Sequence, residues 1–399
     1  MCSTTRTQLS HREKKRLMKI VIAPDSFKEN LTSLEVASEI ETGLRRVWPD
    51  ADYVKVPMAD GGEGTVQSLV DATGGQIVKC EVSGPQGDKV LASYGLLGDG
   101  RTAVIEMAEA SGLPLVAKEK RNPLIATTFG TGELIADAIK RGVEEIIIGI
   151  GGSATNDAGA GLAQALGVRF LNFGGAPIND LISGGDLGKV EAVDMTSINP
   201  GLARVRISVA CDVTNPLCGE QGASRVYGPQ KGATPEMVEL LDKNLAHFAH
   251  VIKRSIGADV AERPGAGAGG GIGAGLMAFT NATLKRGVEL VVAATRLEEK
   301  MQGANLAITG EGRVDFQTAF GKTPSGVAAA AHKCGVPVVA IGGGLADDAA
   351  GVFAHGIDGL ESATPNAMPL DEAIKKSRQY LQDAAERAAR LIVIGQKMT

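Results

Sequence analysis

Short runs of β-branched and aliphatic residues, each closed by Gly, Pro or Asp, alternate along the chain with stretches whose apolar positions recur at helical spacing. That alternation predicts a parallel sheet flanked by helices. Lys19–Ala23 reads as the first strand. Thr32-Ser-Leu-Glu35 offers a capping box, in which the threonine hydroxyl and the glutamate each satisfy a free backbone N–H. Leu34, Ala37, Ile40, Leu44 and Val47 then carry an apolar stripe to the neighbourhood of Trp48. A strand over 51–58 and a helix over 64–73 follow.

After Gly74 the pattern changes. Runs around 78–82, 90–97 and 102–107 follow one another with turn residues between them and no room for helices, which predicts an antiparallel meander. Helix–strand alternation resumes with a helix near 132–141 and the apolar run 146–150. A mixed region over 168–295 includes a long helix opened by Thr234 and Pro235 as N-cap and first turn. Strands at 306–309 and 336–341 and helices at 324–334 and 371–391 close the chain.

With 399 residues, the chain exceeds the size at which a single core usually stops growing, so two domains are expected. The expected arrangement is a Rossmann-like parallel-sheet domain from 18–74, 124–165 and 296–395. It carries an inserted mixed α/β domain from 75–123 and 166–295. Residues 1–17 are expected to be a disordered N-terminal extension, because they are polar and "MKIVIAP" from Met18 reads as a protein start running directly into a strand.

Composition narrows the function. Fifty-three glycines with only 4% aromatics favour tight turns and close backbone approaches over aromatic stacking pockets. A net charge of −5 argues against nucleic acid, whose binding draws on lysine and arginine. The one basic cluster, His11–Arg16, lies in the N-terminal extension. Pro24, Asp25 and Lys28 interrupt the only candidate signal-peptide core, and no apolar run is long enough to span a membrane. Five cysteines without close pairing suit reduced thiols, hence a cytoplasmic protein, expected as a monomer or homodimer.

Five segments set charged residues beside glycines, mostly just after predicted strands, where open parallel sheets bind ligands. Asp25, Ser26 and Lys28 follow the first strand and suit a hydroxyl or a phosphate. Asp60 and Glu63 flank two glycines, so both carboxylates can reach one Mg²⁺. Gly149–Gly161 offers backbone amides and a helix start to an anion, with Ser153, Asn156 and Asp157 as hydroxyl or metal contacts. Asp212 follows the run 207–210, and Lys231 sits in "GPQKG". Glu311, Arg313 and Asp315 follow the strand near 306–309 and lead to Gly321-Lys322-Thr323.

That last triplet imitates the end of a P-loop. The leading glycine is absent, because Phe316 holds its place, so the usual phosphate cradle cannot form. The G-x-G-x-x-G at Gly265, Gly267 and Gly270 follows no strand, and reads as a flexible loop near a ligand rather than a dinucleotide fingerprint. His247 and His250 share a helix face without further ligands, and no G-x-S-x-G is present.

In order along the chain, "APDSFKENLTS", "PMADGGEGT", "IGGSATNDAGAG", "ACDVTNPLCG", "GPQKGAT", "PGAGAGGG" and "TGEGRVDFQTAFGKTPSGVA" resemble the type I glycerate kinase family of bacteria, from Lys19 to about Ile392. Ala158 stands where the family usually has glycine, and Gly269 where it often has alanine. The resemblance implies ATP- and Mg²⁺-dependent phosphorylation of D-glycerate, commonly to 2-phosphoglycerate, in glyoxylate or aldarate breakdown, by a two-domain protein with the active-site cleft between its domains.

Phosphoryl transfer needs cations on phosphates, acids on the metal and one group at the attacking hydroxyl. Lys28, Lys231, Lys322 and Arg313 are the cations, with Ser26, Ser153, Asn156, Gly267 and Glu311 as further contacts to substrate or phosphate. Asp60, Glu63 and Asp157 are the metal candidates, and Asp25, Asp212 or Asp315 the base. A hydroxy-acid dehydrogenase and a non-catalytic small-acid-binding protein are the rival readings. Neither a strand-linked glycine fingerprint nor an export or DNA-binding module supports them.

Overall fold

The computed structural model describes residues 17–398, so the expectation for the N-terminal extension lies, except for Leu17, outside the described residues. Among the described residues thirteen strands form three sheets. β1 (Lys19–Ile22), β2 (Asp52–Lys55), β11 (Leu306–Val314), β12 (Val338–Leu345) and β13 (Gly359–Ser362) make a five-stranded sheet ordered β13-β12-β11-β1-β2. Every neighbouring pair in it is parallel.

β3 (Gln76–Ser83), β4 (Lys89–Leu96), β5 (Thr102–Glu106), β6 (Glu145–Gly149), β9 (Arg206–Ala210) and β10 (Thr283–Lys285) make a six-stranded sheet ordered β10-β9-β6-β5-β4-β3. The β3–β4–β5 meander is antiparallel and the remaining pairs are parallel. β7 (Arg169–Asn172) and β8 (Val190–Asp194) pair as a separate ribbon. The α/β class with one parallel and one mixed sheet is therefore the one the sequence pattern implies.

The allocation of 124–165 is corrected. β6 pairs in register with β5 and β9, inside the second sheet rather than the first. The second sheet is thus drawn from one continuous stretch between β3 and β10. An apolar run such as Ile146-Ile-Ile marks a doubly buried strand but carries no label for its sheet, which is why periodicity alone misplaced it.

Local rules account for the elements near the cleft. The helix Ser33–Arg45 begins with the capping box, Thr32 and Glu35 satisfying each other's backbone N–H groups. Strand alternation sends Val21 to one face of the first sheet and Ile20 and Ile22 to the other. On the Val21 face, Val66, Leu69 and Val70 of the helix Thr65–Thr73 pack with Val104 and Ile147 of the second sheet as well. One apolar layer thereby ties both sheets together, and fixes the loops at their strand ends relative to each other.

Candidate active site

The loops carrying the candidate residues leave the carboxyl ends of β1, β2, β6, β9 and β11. Two glycines let the halves meet. A β-carbon on Gly287 would stand 1.9 Å from the Asp60 carbonyl oxygen, and one on Gly61 would stand 2.7 Å from the Gly287 Cα. Between these loops lies a cleft of about 450 Å³ whose lining includes Asp60, Ser153, Asp212, Tyr227, Lys231 and Gly269.

Lys231 is the cation of this cleft. It closes the 3-10 turn Pro229–Lys231, is only 2% exposed, and donates from Nζ to Ser153 Oγ and to the Thr155 carbonyl oxygen, each at 2.6 Å. Burial pushes its ammonium down to about 7, against the opposing pull of Asp157. Asn156 is buried beside it and donates to Ser224 Oγ at 2.9 Å, while its own Oδ1 and Thr155 Oγ1 are buried without a partner. Orphaned acceptors of this kind are uncommon in a settled core.

Acids cluster among these loops. Asp25 accepts from the Ser26 amide at 2.6 Å and the Ser26 hydroxyl at 3.3 Å, and its other oxygen accepts from the Thr323 hydroxyl. Burial pushes its carboxyl up to about 6; the Asp60 and Glu311 charges add to the rise, and the Thr323 and Ser26 hydrogen bonds work against it. Burial likewise raises Asp212, which accepts from the Gly287 amide at 3.2 Å and feels Asp60 as a like charge and Arg286 as an opposite one. Glu311 is raised by burial too, and its Oε1 has no partner.

The triplet that fails as a P-loop is part of this site. Lys322 Nζ lies 3.5 Å from Glu311 Oε2 and 4.0 Å from Asp315 Oδ1. Thr323 supplies the hydroxyl that Asp25 accepts. Gly321, with φ of +82°, leaves room for Arg286, whose Nη2 would be 2.3 Å from a β-carbon at that position. Arg286 was not singled out from the sequence. It follows three residues of weak strand character, and nothing local marks it.

Other expected site residues fall elsewhere. Asp157 is wholly buried and accepts from the Thr128 amide and hydroxyl, both at 2.8 Å, and from the Gly159 and Gly161 amides at 3.2 Å. These four bonds, three on Oδ2 and one on Oδ1, commit Asp157 to the loop and helix start around it, and it does not line the cleft that Asp60 lines, so the Asp60–Glu63–Asp157 metal trio is corrected. Among the described residues no three His, Cys, Asp or Glu side chains are grouped to hold a metal ion unaided. Glu63 is exposed and faces a side groove with Glu106.

Asp315 caps the turn Phe316–Ala319, accepting from the Gln317 and Thr318 amides, and is thereby occupied structurally. Gly267 packs against the Pro216 carbonyl oxygen, where a β-carbon would stand 2.2 Å away. The stretch expected to be a flexible loop is instead a buried helix entrance. Gly269, Gly270 and Gly271 take left-handed angles before the helix runs on to Phe279. Lys28 and Arg313 meet in a second cavity, beside the switch between β1 and β11.

A cleft at the strand ends of two α/β sheets, lined by a buried cation and by acids that include a carboxyl raised by burial, defines an enzyme that handles a small anionic substrate. Residues 20–393 match the model of the glycerate kinase family. The chain is 56% identical to a glycerate kinase of Halalkalibacterium halodurans over 93% of this chain and 97% of that one. It is 52% identical to the glycerate 2-kinase of Escherichia coli K12, over 95% and 99%. A crystal structure from Salmonella typhimurium LT2 assigned to glycerate kinase 2 superposes with a TM-score of 0.88 at 51% identity, covering 96% of this chain and all of that one. This chain belongs to the glycerate kinase family and is a phosphotransferase. No helix among the described residues is long and apolar enough to cross a membrane.

Proposed function

We propose that the protein transfers the γ-phosphoryl group of ATP to the 2-hydroxyl of D-glycerate. The observation that carries this reading is Lys231, a buried ammonium on the cleft wall that also carries Asp60 and Asp212. A three-carbon acid with a carboxylate at one end and a hydroxyl next to it matches that pairing of cation and acid. The Escherichia coli relative is a glycerate 2-kinase, which supports the 2-position.

In this reading Lys231 holds the glycerate carboxylate, oriented by Ser153 and the Thr155 carbonyl. Asp212 accepts the hydroxyl proton, because it lines the same cleft as Lys231, whereas Asp315 is engaged as a cap. The freed oxygen forms a bond to the γ-phosphorus as the bridging P–O bond breaks and its electron pair stays with ADP. Lys322 and Arg286 carry positive charge beside the acids and steady the transferring group.

The donor set suits magnesium. Asp25, Asp60 and Glu311 are hard oxygen donors; the Asp60 and Glu311 charges press on Asp25, and Glu311 Oε1 is buried without a partner. Magnesium is commonly held by one or two carboxylates plus phosphate oxygens and water, so no full protein cage is required. Asp60 and Asp25 would hold it, and when bound it neutralises charge on the phosphates. We place the reaction in the cytoplasm, in glyoxylate or aldarate breakdown.

The experiment is ADP formation from MgATP on addition of D-glycerate. ADP release that depends on glycerate supports the reading; none, with folded protein, refutes it.

A further inference from the structure

Three loops stack beside the first sheet, away from Lys231. Gly312 lies 3.6 Å, measured from a built β-carbon, from the Phe27 Cα, and a β-carbon on Gly343 would stand 2.4 Å from the Gly312 carbonyl oxygen and 3.1 Å from Phe27 Cε2. They enclose a second cavity of about 370 Å³ at the carboxyl ends of β11 and β12. This is the topological switch point of the parallel sheet. β2 lies on one side of β1, while β11, β12 and β13 run away on the other. Open α/β sheets bind ligands at that crevice.

The cavity's chemistry is amphipathic. Lys28 and Arg313 both line it, and neither has a carboxylate within 4.0 Å among the described residues. Leu345 and Leu370 line it too, at 40% and 75% exposure. Glycerate carries oxygen on every carbon, so it has no apolar face to cover these leucines. A ligand with an apolar aromatic ring and a polyanionic tail covers both. Lys28 also borders the groove of Ser26, Glu63 and Gly64, which leads from this cavity towards the Asp60 loop.

We propose that this switch-point cavity seats the base and ribose of the adenine nucleotide, with the phosphates passing Lys28 and Arg313 towards Asp25 and Asp60. The two substrates then enter from separate cavities and meet at the acids. This rests on the nucleotide reading above.

Gly344 provides the test. It pairs with Arg313 across β11 and β12, and a β-carbon there meets nothing within 4 Å, so Gly344→Phe fills the cavity without displacing backbone. Leu370→Asp alters its rim at an exposed position. Binding of MgADP alone is measured by titration calorimetry, with the KM for glycerate as a control.

The expected result is at least about a tenfold loss of MgADP affinity in Gly344→Phe and a smaller loss in Leu370→Asp, with the glycerate KM within about twofold. Unchanged MgADP affinity in both folded variants, with wild type binding normally, overturns the assignment of this cavity and leaves the kinase reading standing. A rise confined to the glycerate KM overturns it as well. Wild-type protein that binds no MgADP and releases no ADP overturns the nucleotide reading itself. If circular dichroism shows Gly344→Phe unfolded, Leu370→Asp decides alone, and unchanged affinity there counts against the proposal.

Discussion

The guanidinium of Arg286 occupies the space a side chain on Gly321 would need, with Nη2 2.3 Å from the β-carbon position. Arg286 follows the last strand of the second sheet, and Gly321 belongs to the loop beyond β11 of the first. Gly321→Ala should therefore push Arg286 off the acid cluster and lower turnover by roughly tenfold or more, the scale of one misplaced charge-stabilising group. Because φ of +82° also strains alanine, the informative measurement is a double-mutant cycle with Arg286→Ala. Strong non-additivity in kcat is expected. Additive losses would show that Gly321 acts only through its backbone.

Asp25 links chemistry to stability. Its folded carboxyl titrates near 6 against an ordinary 3.8, so the folded state binds this proton more tightly than the unfolded chain. Its contribution to stability is full below about pH 4 and is lost as pH rises through 6. Asp25→Asn should accordingly be more stable than wild type at pH 8, by about 1–3 kcal/mol, and nearly equal to it at pH 4, while losing most activity. Thermal melts across that range check it; a less stable variant at pH 8 would contradict the cost of burying this charge beside Asp60 and Glu311.

The fold was legible where periodicity and capping chemistry act locally. The Thr32–Glu35 box and the Thr234–Pro235 helix start both form as their residue types require. The site was legible only as a set of loops, since charged residues beside glycines after strands mark places without marking partners. Asp157 illustrates the difference: its neighbours in sequence suggest a metal, yet Thr128, brought from 29 residues away, donates both its amide and its hydroxyl to Oδ2. Arg286 and the sheet membership of β6 depend on long-range pairing and leave no local trace.

Asp157→Asn tests that correction. Removing a buried acceptor bound by four donors should lower stability by about 2–4 kcal/mol, with the magnesium dependence of the surviving activity unchanged. A large rise in the magnesium concentration needed, in a variant as stable as wild type, would return Asp157 to the metal site.

Lys231 titrates near 7 rather than 10.5, so its charge fades through the neutral range in the free protein. The ratio kcat/KM for glycerate should fall above about pH 7 as the ammonium is lost, reporting the free enzyme's titration. Lys231→Met should flatten that limb and cost roughly 10²-fold in kcat/KM. A wild-type profile flat from pH 6 to 9 would show that the carboxylate is held elsewhere.

The position of transfer is read most directly by phosphorus NMR of the product from D-glycerate and MgATP. Phosphate on carbon 2 couples to one neighbouring proton and phosphate on carbon 3 to two. The expected spectrum is a proton-coupled doublet that grows as ADP accumulates. A triplet, or no new phosphate ester, would contradict the account.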